Sequence, residues 1–208
     1  LKKRLEHTHA KCAVIGLSGG LDSTLALMIT SNAMKMLGRP STDIVTLTMP
    51  CFGTTDRTRD NATKLGELLG TTFRRVDIGE AVMQHFADIG HDPSDHSTTY
   101  ENCQARERTQ VLMDIANKNG GLVIGTGDLS ELALGWCTYN GDHMSMYAVN
   151  CSIPKTLVRH LTHYVSDLNR ESNPELSAVL DDVLATPVSP ELLPTTEDGQ
   201  MTHFTEDL

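Results

Sequence analysis

The feature that most constrains the fold is a short apolar segment that ends in a glycine-rich turn and passes at once into a second apolar segment of helical character. It lies at residues 12–29, CAVIGLSGGLDSTLALMI. The same succession of apolar segment, turn and helical segment recurs along the chain. Predicted strands lie at residues 12–17, 43–50, 71–78 and 121–127, and predicted helices at 22–37, 56–69, from 79 onwards, 101–117 and 174–184.

The predicted strands are short and do not alternate between polar and apolar residues, which is typical of strands covered on both faces. Strands that alternate with helices indicate a parallel sheet. We therefore predict an α/β fold, a doubly wound parallel sheet of about five strands with helices on both faces. A chain of 208 residues is expected to form one domain with a sizeable core.

Charge and composition narrow the possible partners and location. The net charge is -10, with 17 Lys and Arg against 27 Asp and Glu, so we expect no nucleic-acid partner. No apolar run is long enough to span a bilayer, so we expect no membrane partner. The five cysteines form no C-x-x-C pair, which favours a reduced, cytoplasmic protein. Because residue 1 is Leu rather than Met, we expect the sequence to be part of a longer chain.

The turn after the first predicted strand has the pattern S-G-G-x-D-S, formed by Ser18, Gly19, Gly20, Asp22 and Ser23. Ligands of doubly wound sheets bind at the carboxyl ends of the strands, and glycines let a ligand approach the backbone. The free N–H groups at a helix start suit a phosphate. The pattern is neither a P-loop, because it has no lysine, nor the dinucleotide fingerprint G-x-G-x-x-G. The alternative is an ordinary turn with Asp22 or Ser23 as the helix cap.

A second strand, glycine turn and helix follow at residues 121–139, GLVIGTGDLSELALGWCTY. Asp128 and Glu131 match a capping box, and capping alone would explain both residues. In folds of this kind, however, the first and fourth strands are neighbours, so Asp22 and Glu131 would face one crevice. Two carboxylates beside a phosphate-binding turn predict a Mg²⁺ site.

Several segments resemble a known family. The S-G-G-x-D-S pattern resembles the pyrophosphate loop of the ATP pyrophosphatase superfamily, whose fold is adenine nucleotide alpha hydrolase-like. Residues 125–145, GTGDLSELALGWCTYNGDHMS, and 153–161, IPKTLVRHL, are similar to the synthetase domain of NAD⁺ synthetases, above all the glutamine-dependent long form. Residues 48–58 and 98–116 are similar to that family too, so the resemblance covers about residues 12–208.

The resemblance implies a ligase of NAD biosynthesis. The carboxylate of deamido-NAD⁺ would attack the α-phosphorus of ATP and give an NAD-adenylate and pyrophosphate, and ammonia would then displace AMP. Ammonia would come free or from a glutaminase domain that precedes this domain in the long form, and the family's last C-terminal segment would fall beyond residue 208. The family also implies a dimer or larger homo-oligomer. Two alternatives stay open: another ATP pyrophosphatase-type amidotransferase, such as a GMP synthetase, and a non-catalytic ATP-binding module.

The resemblance further assigns roles to residues. Asp22 and Lys155 would be catalytic, Asp22 and Glu131 would hold Mg²⁺, and Lys155, otherwise a surface lysine, would neutralise ATP phosphates. ATP would contact Gly16, Leu17, Ser18, Gly19, Gly20, Asp22, Ser23, Thr126, Lys155 and Ser189. Deamido-NAD⁺ would contact Asn102, Arg106, Glu131, Trp136, Cys137, Thr138 and Tyr139. The short, ammonia-dependent members carry a Lys and an Asp where this chain has Tyr139 and Met146, so those two contacts are not carried over.

Overall fold

The strands of the sheet are the short apolar segments of the sequence. The computed structural model describes residues 1–53, 56–186 and 192. Its strands are β1 (Ala13–Gly16), β2 (Ile44–Thr48), β3 (Thr72–Arg75), β4 (Leu122–Gly125) and β5 (Tyr147–Ala148). Its helices are α1 (Lys2–Thr8), α2 (Leu21–Met36), α3 (Asp56–Leu68), α4 (Gly79–Ile89), α5 (Thr98–Asn119), α6 (Leu129–Leu134), α7 (Lys155–Asn169) and α8 (Pro174–Ala185).

The strands form one parallel sheet in the order β3-β2-β1-β4-β5. From β1 the chain moves outward to β3, and it then returns to the other side of β1 with β4 and β5. β1 and β4 are therefore neighbours, with Ala13 opposite Leu122 and Val14 opposite Val123. The predicted doubly wound parallel sheet is confirmed. The connection after β1 leads towards β2 and the connection after β4 leads towards β5, in opposite directions. This opens a crevice at the carboxyl ends of β1 and β4.

Helices cover both faces of the sheet. Successive residues of a strand point to opposite faces, so neighbouring residues of β1 show which helices pack on each face. Ala13 and Ile15 of β1 pack into a core cluster that includes residues of α2, α3 and α8. Val14, between them, packs into a second cluster that includes residues of α4 and α5. All positions of β2 are buried, as expected for a strand covered on both faces. The predicted arrangement of helices on both faces is thus confirmed.

The boundaries of some elements differ from the prediction. α5 begins at Thr98, three residues before the predicted start at residue 101, and it ends at Asn119, two residues beyond the predicted end. β3 is shorter than predicted, although Val76 N–H beyond its end still donates to the Thr48 carbonyl at 3.0 Å. β5 is two residues long and has no pattern that sequence analysis could locate. Within the described residues, no helix has both the length and the apolarity that crossing a membrane requires.

Candidate active site

The first glycine turn lies at the carboxyl end of β1. Gly19 has a φ of 86°, and a Cβ at this position would lie 2.0 Å from the carbonyl oxygen of Thr58, so the turn requires glycine. Ser18 Oγ accepts a hydrogen bond from Gly20 N–H at 3.1 Å and lies 3.2 Å from Ser23 Oγ. Gly16, the last residue of β1, begins the turn.

The start of α2 is not closed by a side chain. Its N-cap is Gly20, and no described side chain caps the helix, so the alternative prediction of a cap by Asp22 or Ser23 is wrong. Ser23 Oγ instead donates to the Gly20 carbonyl at 3.1 Å. Leu17 contributes little to a ligand surface, because its side chain is buried and its N–H donates to the Leu47 carbonyl at 2.7 Å. An uncapped helix start can offer its N–H groups to an anion.

Three carboxylates meet where the carboxyl ends of β1 and β4 adjoin. Asp22 lies in the first turn of α2, Asp128 is the N-cap of α6, and Glu131 lies in the first turn of α6. One oxygen of each lies within 4.8 Å of the others. The capping box is present too, with Glu131 N–H donating to Asp128 Oδ1 at 2.9 Å and Asp128 N–H donating to Glu131 Oε2 at 3.2 Å. Capping and convergence, which were alternatives in the sequence, occur together.

Lys155 places its ammonium group among these three acids. Its Nζ lies 2.5 Å from Asp22 Oδ2, 2.8 Å from Asp128 Oδ2 and 3.2 Å from Glu131 Oε1. Its backbone N–H, at the start of α7, donates to Ser130 Oγ at 3.1 Å. Burial opposes the charge, but the hydrogen bonds and negative charges of the acids outweigh burial and raise the pKa of Lys155. Lys155 is therefore charged and is part of the acid cluster, not a surface lysine.

The two aspartates of the cluster differ in their ionisation. Burial raises the pKa of Asp22 to about 6, although the hydrogen bond from Lys155 opposes this rise. Asp128 is fully buried, yet the ion pair with Lys155 and the hydrogen bond from Glu131 N–H outweigh burial and lower its pKa. Of these two carboxyl groups, Asp128 thus carries the more firmly fixed negative charge.

The cluster has the chemistry of a divalent-cation site. Three carboxylates outnumber one ammonium group, so the charge balance is negative. Among the described residues, no group donates a hydrogen bond to the buried Oδ1 of Asp22. Hard oxygen atoms of this kind are the ligands that Mg²⁺ prefers. The donor set therefore fits the ion that the sequence predicted for Asp22 and Glu131, with Asp128 as an additional acid.

Asn150 joins the two turns that carry the acids. It is fully buried, and its Nδ2 donates to the carbonyl oxygens of Asp22 and Thr126, each at 2.9 Å. One side chain therefore sets the spacing between the β1 turn and the β4 turn, and with it the spacing between Asp22 and Glu131. Sequence analysis missed Asn150, because the segment before α7 has no helical or strand pattern that would indicate its position.

A second group of predicted residues lies where α5 meets the segment that follows α6. Asn102 and Arg106 lie one turn apart on α5, as predicted. Asn102 Oδ1 accepts a hydrogen bond from Thr138 Oγ1 at 2.7 Å, and Arg106 Nε donates to the Tyr139 carbonyl at 3.2 Å. Four of the residues that the resemblance assigns to deamido-NAD⁺ thus form two hydrogen-bonded pairs between α5 and the segment after α6.

This second group connects to the acid cluster through Glu131. A small cavity of about 30 Å³ is lined by Glu131, Cys137, Asp142 and His143, among others. Burial raises the pKa of the Cys137 thiol, so this side chain is a neutral thiol that lines the cavity wall. Asp142 and His143 were not predicted as site residues, since neither stands in a recognised spacing.

Exposed aromatic rings flank the second group. Trp136 is 61% exposed and Tyr139 is 82% exposed, and the centroid of the Tyr139 ring lies 5.8 Å from that of the His143 ring. Ser189, a predicted ATP contact, lies outside the described residues. Leu192, which is described, accepts a hydrogen bond at its carbonyl from Gln104 Nε2 of α5 at 2.9 Å.

The sheet order, the glycine turn and the carboxylates at the switch point define a doubly wound α/β protein with a candidate ligand site at the carboxyl edge of the sheet. Residues 1–202 match the family model described as NAD synthase. The chain belongs to this family, and the resemblance predicted from its motifs is confirmed.

Individual relatives agree with this assignment. A glutamine-dependent NAD(+) synthetase of Mycobacterium tuberculosis is 47% identical over 203 residues, which are 95% of this chain and 30% of the relative. An NH(3)-dependent NAD(+) synthetase of Aeropyrum pernix is 34% identical over 195 residues, 92% of this chain and 62% of the relative. The structure of a glutamine-dependent NAD+ synthetase from Acinetobacter baumannii in complex with ADP superposes with a TM-score of 0.75 and 32% identity, over 86% of this chain and 33% of that chain. The chain thus spans less than two thirds of the length of each relative.

Proposed function

We propose that this chain catalyses the synthetase reaction of an NAD⁺ synthetase, the ATP-dependent amidation of deamido-NAD⁺. It would be a ligase that forms a C–N bond and releases AMP and pyrophosphate. The observation that carries the proposal is the meeting of Asp22, Glu131 and Lys155, from three distant parts of the chain, beside an uncapped glycine turn. Membership of the NAD synthase family supports the same reaction.

The first step would activate the nicotinate carboxylate of deamido-NAD⁺. A free carboxylate is a poor acyl donor because its leaving group would be oxide, and transfer of the AMP group replaces oxide by a good leaving group. The glycine turn and the first N–H groups of α2 would hold the phosphates of ATP, and Lys155 would neutralise their charge. Asp22 and Glu131 would hold Mg²⁺, which when bound supplies positive charge to the phosphates.

The second substrate would bind on the side of the site where α5 meets the segment after α6. The exposed guanidinium group of Arg106 is suited to a phosphate, and Asn102 offers an amide one turn away on the same face. The exposed ring of Tyr139, together with Trp136, would stack on a base or a nicotinate ring. The small cavity beside Glu131 would then lie between the two substrates.

Ammonia would reach the activated carbonyl either free from solution or from a glutaminase domain. The names of the curated long relatives, and their greater length, support a glutamine source in those proteins. We also propose a homo-oligomer, because an interface would cover exposed apolar residues of α6, such as Leu129 and Leu134. All five cysteines lie within the described residues and none is in a disulfide, which supports a cytoplasmic location.

An activity assay tests the proposal. The chain is incubated with ATP, Mg²⁺, ammonium and deamido-NAD⁺, and the expected result is NAD⁺ and AMP in equal amounts. Asp22→Asn should lose this activity and keep the fold, whereas Asp114→Asn, at an exposed acid of α5, should keep both. AMP formation only with xanthylate would favour a GMP synthetase-like enzyme, and tight ATP binding without turnover would favour a non-catalytic module. Either outcome would overturn the proposal.

A further inference from the structure

The carboxylates that would hold a divalent cation are occupied by a cation of the chain itself. Lys155 Nζ lies within ion-pair distance of Asp22 Oδ2 and Glu131 Oε1, at 2.5 Å and 3.2 Å. A divalent cation on the same oxygens would lie beside the ammonium group. Two cations at such a distance repel strongly when they are partly buried. The ammonium group and a divalent cation therefore compete for these two acids.

The parts of the cluster differ in their freedom to move. Lys155 is fixed at its backbone by the bond to Ser130, but its ammonium group ends a flexible four-carbon stem and its side chain is 38% exposed. Asp128 is fully buried, and the capping bond from Glu131 N–H holds its Oδ1. Its other oxygen, Oδ2, lies 2.8 Å from Lys155 Nζ. Lys155 can change partners, whereas the Asp128 carboxylate stays in place.

We propose that a divalent cation displaces the Lys155 ammonium group from Asp22 and Glu131, and that Asp128 is a positioning residue that retains this group beside the site. Lys155 is then the counter-ion of the acids before the cation binds and a ligand for phosphate afterwards. The proposal rests on the proposed function in expecting a divalent cation at these acids and a phosphate beside Lys155. It gives the third carboxylate a role that neither capping nor metal binding requires.

Binding of Mn²⁺ without nucleotide tests the displacement. The affinity of the wild type, Lys155→Met and Arg159→Met is measured from the electron paramagnetic resonance signal of free Mn²⁺. Lys155→Met is expected to bind Mn²⁺ at least about tenfold more tightly, because the competing charge is gone. Arg159→Met removes the same charge one turn further along α7, at an exposed position, and should change the affinity less than about twofold. Equal or weaker binding by Lys155→Met would overturn the proposal.

Loss of Lys155 leaves three acids without their counter-ion, so the Lys155→Met variant is expected to be less stable. If it is unfolded without metal, its thermal unfolding midpoint is followed during a Mn²⁺ titration. Competition predicts that the midpoint of the variant rises with Mn²⁺ more steeply than that of the wild type. A variant that gains no more than the wild type would contradict the competition.

The role of Asp128 is tested separately from its cap. Asp128→Asn keeps an N-cap of similar strength and removes the charge. The thermal midpoints of the wild type, Asp128→Asn, Lys155→Met and the double variant are compared in saturating Mn²⁺. The thermal midpoint of the double variant should fall by at least about 2 °C less than the sum of the two single decreases. The reason is that the Asp128–Lys155 ion pair persists when metal is bound. Additive losses would refute the positioning role. None of these measurements depends on turnover, so their failure is distinct from a failure of the proposed function.

Discussion

Replacement of Gly19 by alanine should damage the glycine turn after β1 more than the backbone conformation of Gly19 alone explains. The φ of 86° disfavours any side chain, and a left-handed residue other than glycine costs about 1–2 kcal/mol. The new Cβ would also lie 2.0 Å from the carbonyl oxygen of Thr58 and 3.2 Å from the backbone nitrogen of Ala62, both on α3. Because backbone atoms cannot rotate away, the turn or α3 must shift by about 1 Å, and such overpacking costs about 1–3 kcal/mol.

Gly38, which follows α2, is a matched control. Its φ is 66°, and no atom of the described residues lies within 4 Å of the point where an alanine Cβ would be placed. Gly38→Ala should therefore lose only about 1–2 kcal/mol, and Gly19→Ala about 2–5 kcal/mol. Urea unfolding followed by circular dichroism measures both losses, and calorimetry measures ATP binding. Gly19→Ala should bind ATP at least about tenfold more weakly, since the shifted turn would lose its hydrogen bonds. Equal stability losses with unchanged ATP affinity would refute this reasoning.

Other variants test other contacts. Asn150→Ala should lose at least about 2 kcal/mol of stability in urea unfolding and weaken ATP binding, because the buried Asn150 side chain donates hydrogen bonds to two part-buried carbonyl groups. Burial raises the pKa of Asp22 to about 6, so the folded chain binds this proton more tightly than the unfolded chain does. The wild type should therefore lose stability relative to Asp22→Asn, on the order of 2 kcal/mol, as the pH rises from about 4 to about 6; a difference independent of pH would contradict the burial effect. Asn61 is 3% exposed and donates to Asp182 at 2.7 Å, so Asn61→Ala should cost about 1–2 kcal/mol in the same assay. Arg57→Met should change the thermal midpoint little, because solvent screens the exposed Arg57–Asp182 pair.

The parts of the site that the sequence predicted are those set by strand order. Once β1 and β4 are neighbours, the residues that follow them must share one edge of the sheet, and this brings Asp22 and Glu131 together. The position of Lys155 near the ATP phosphates was predicted from the family resemblance. No local sequence pattern links the start of α7 to these two turns. The sequence predicted about five strands but gave ranges for only four, because β5 is two residues long and has no recognisable pattern.

The parts that the sequence did not predict depend on side-chain contacts between segments that are far apart in the chain. Asn150 meets Asp22 across 128 positions and Thr126 across 24. A lone asparagine in an irregular segment has no periodicity from which such contacts could be inferred. The sequence indicated Asp128 only as a helix cap. The ion pair between its Oδ2 and Lys155 Nζ depends on the position of α7 in the fold.

Capping and ligand binding support each other in this site. The capping box holds one oxygen of Glu131, Oε2, on the backbone N–H of Asp128, and this leaves Oε1 directed at the ion-pair cluster. Ordering a free glutamate side chain costs up to about 2 kcal/mol, and the cap already restricts the rotamers of Glu131 before any ligand binds. The start of α2 is arranged in the opposite way, because its N-cap is a glycine and its first N–H groups are not taken by a described side chain. A capped helix that presents a fixed carboxylate and an uncapped helix that presents N–H groups face each other across the β1–β4 crevice, and together they match a phosphate accompanied by a cation.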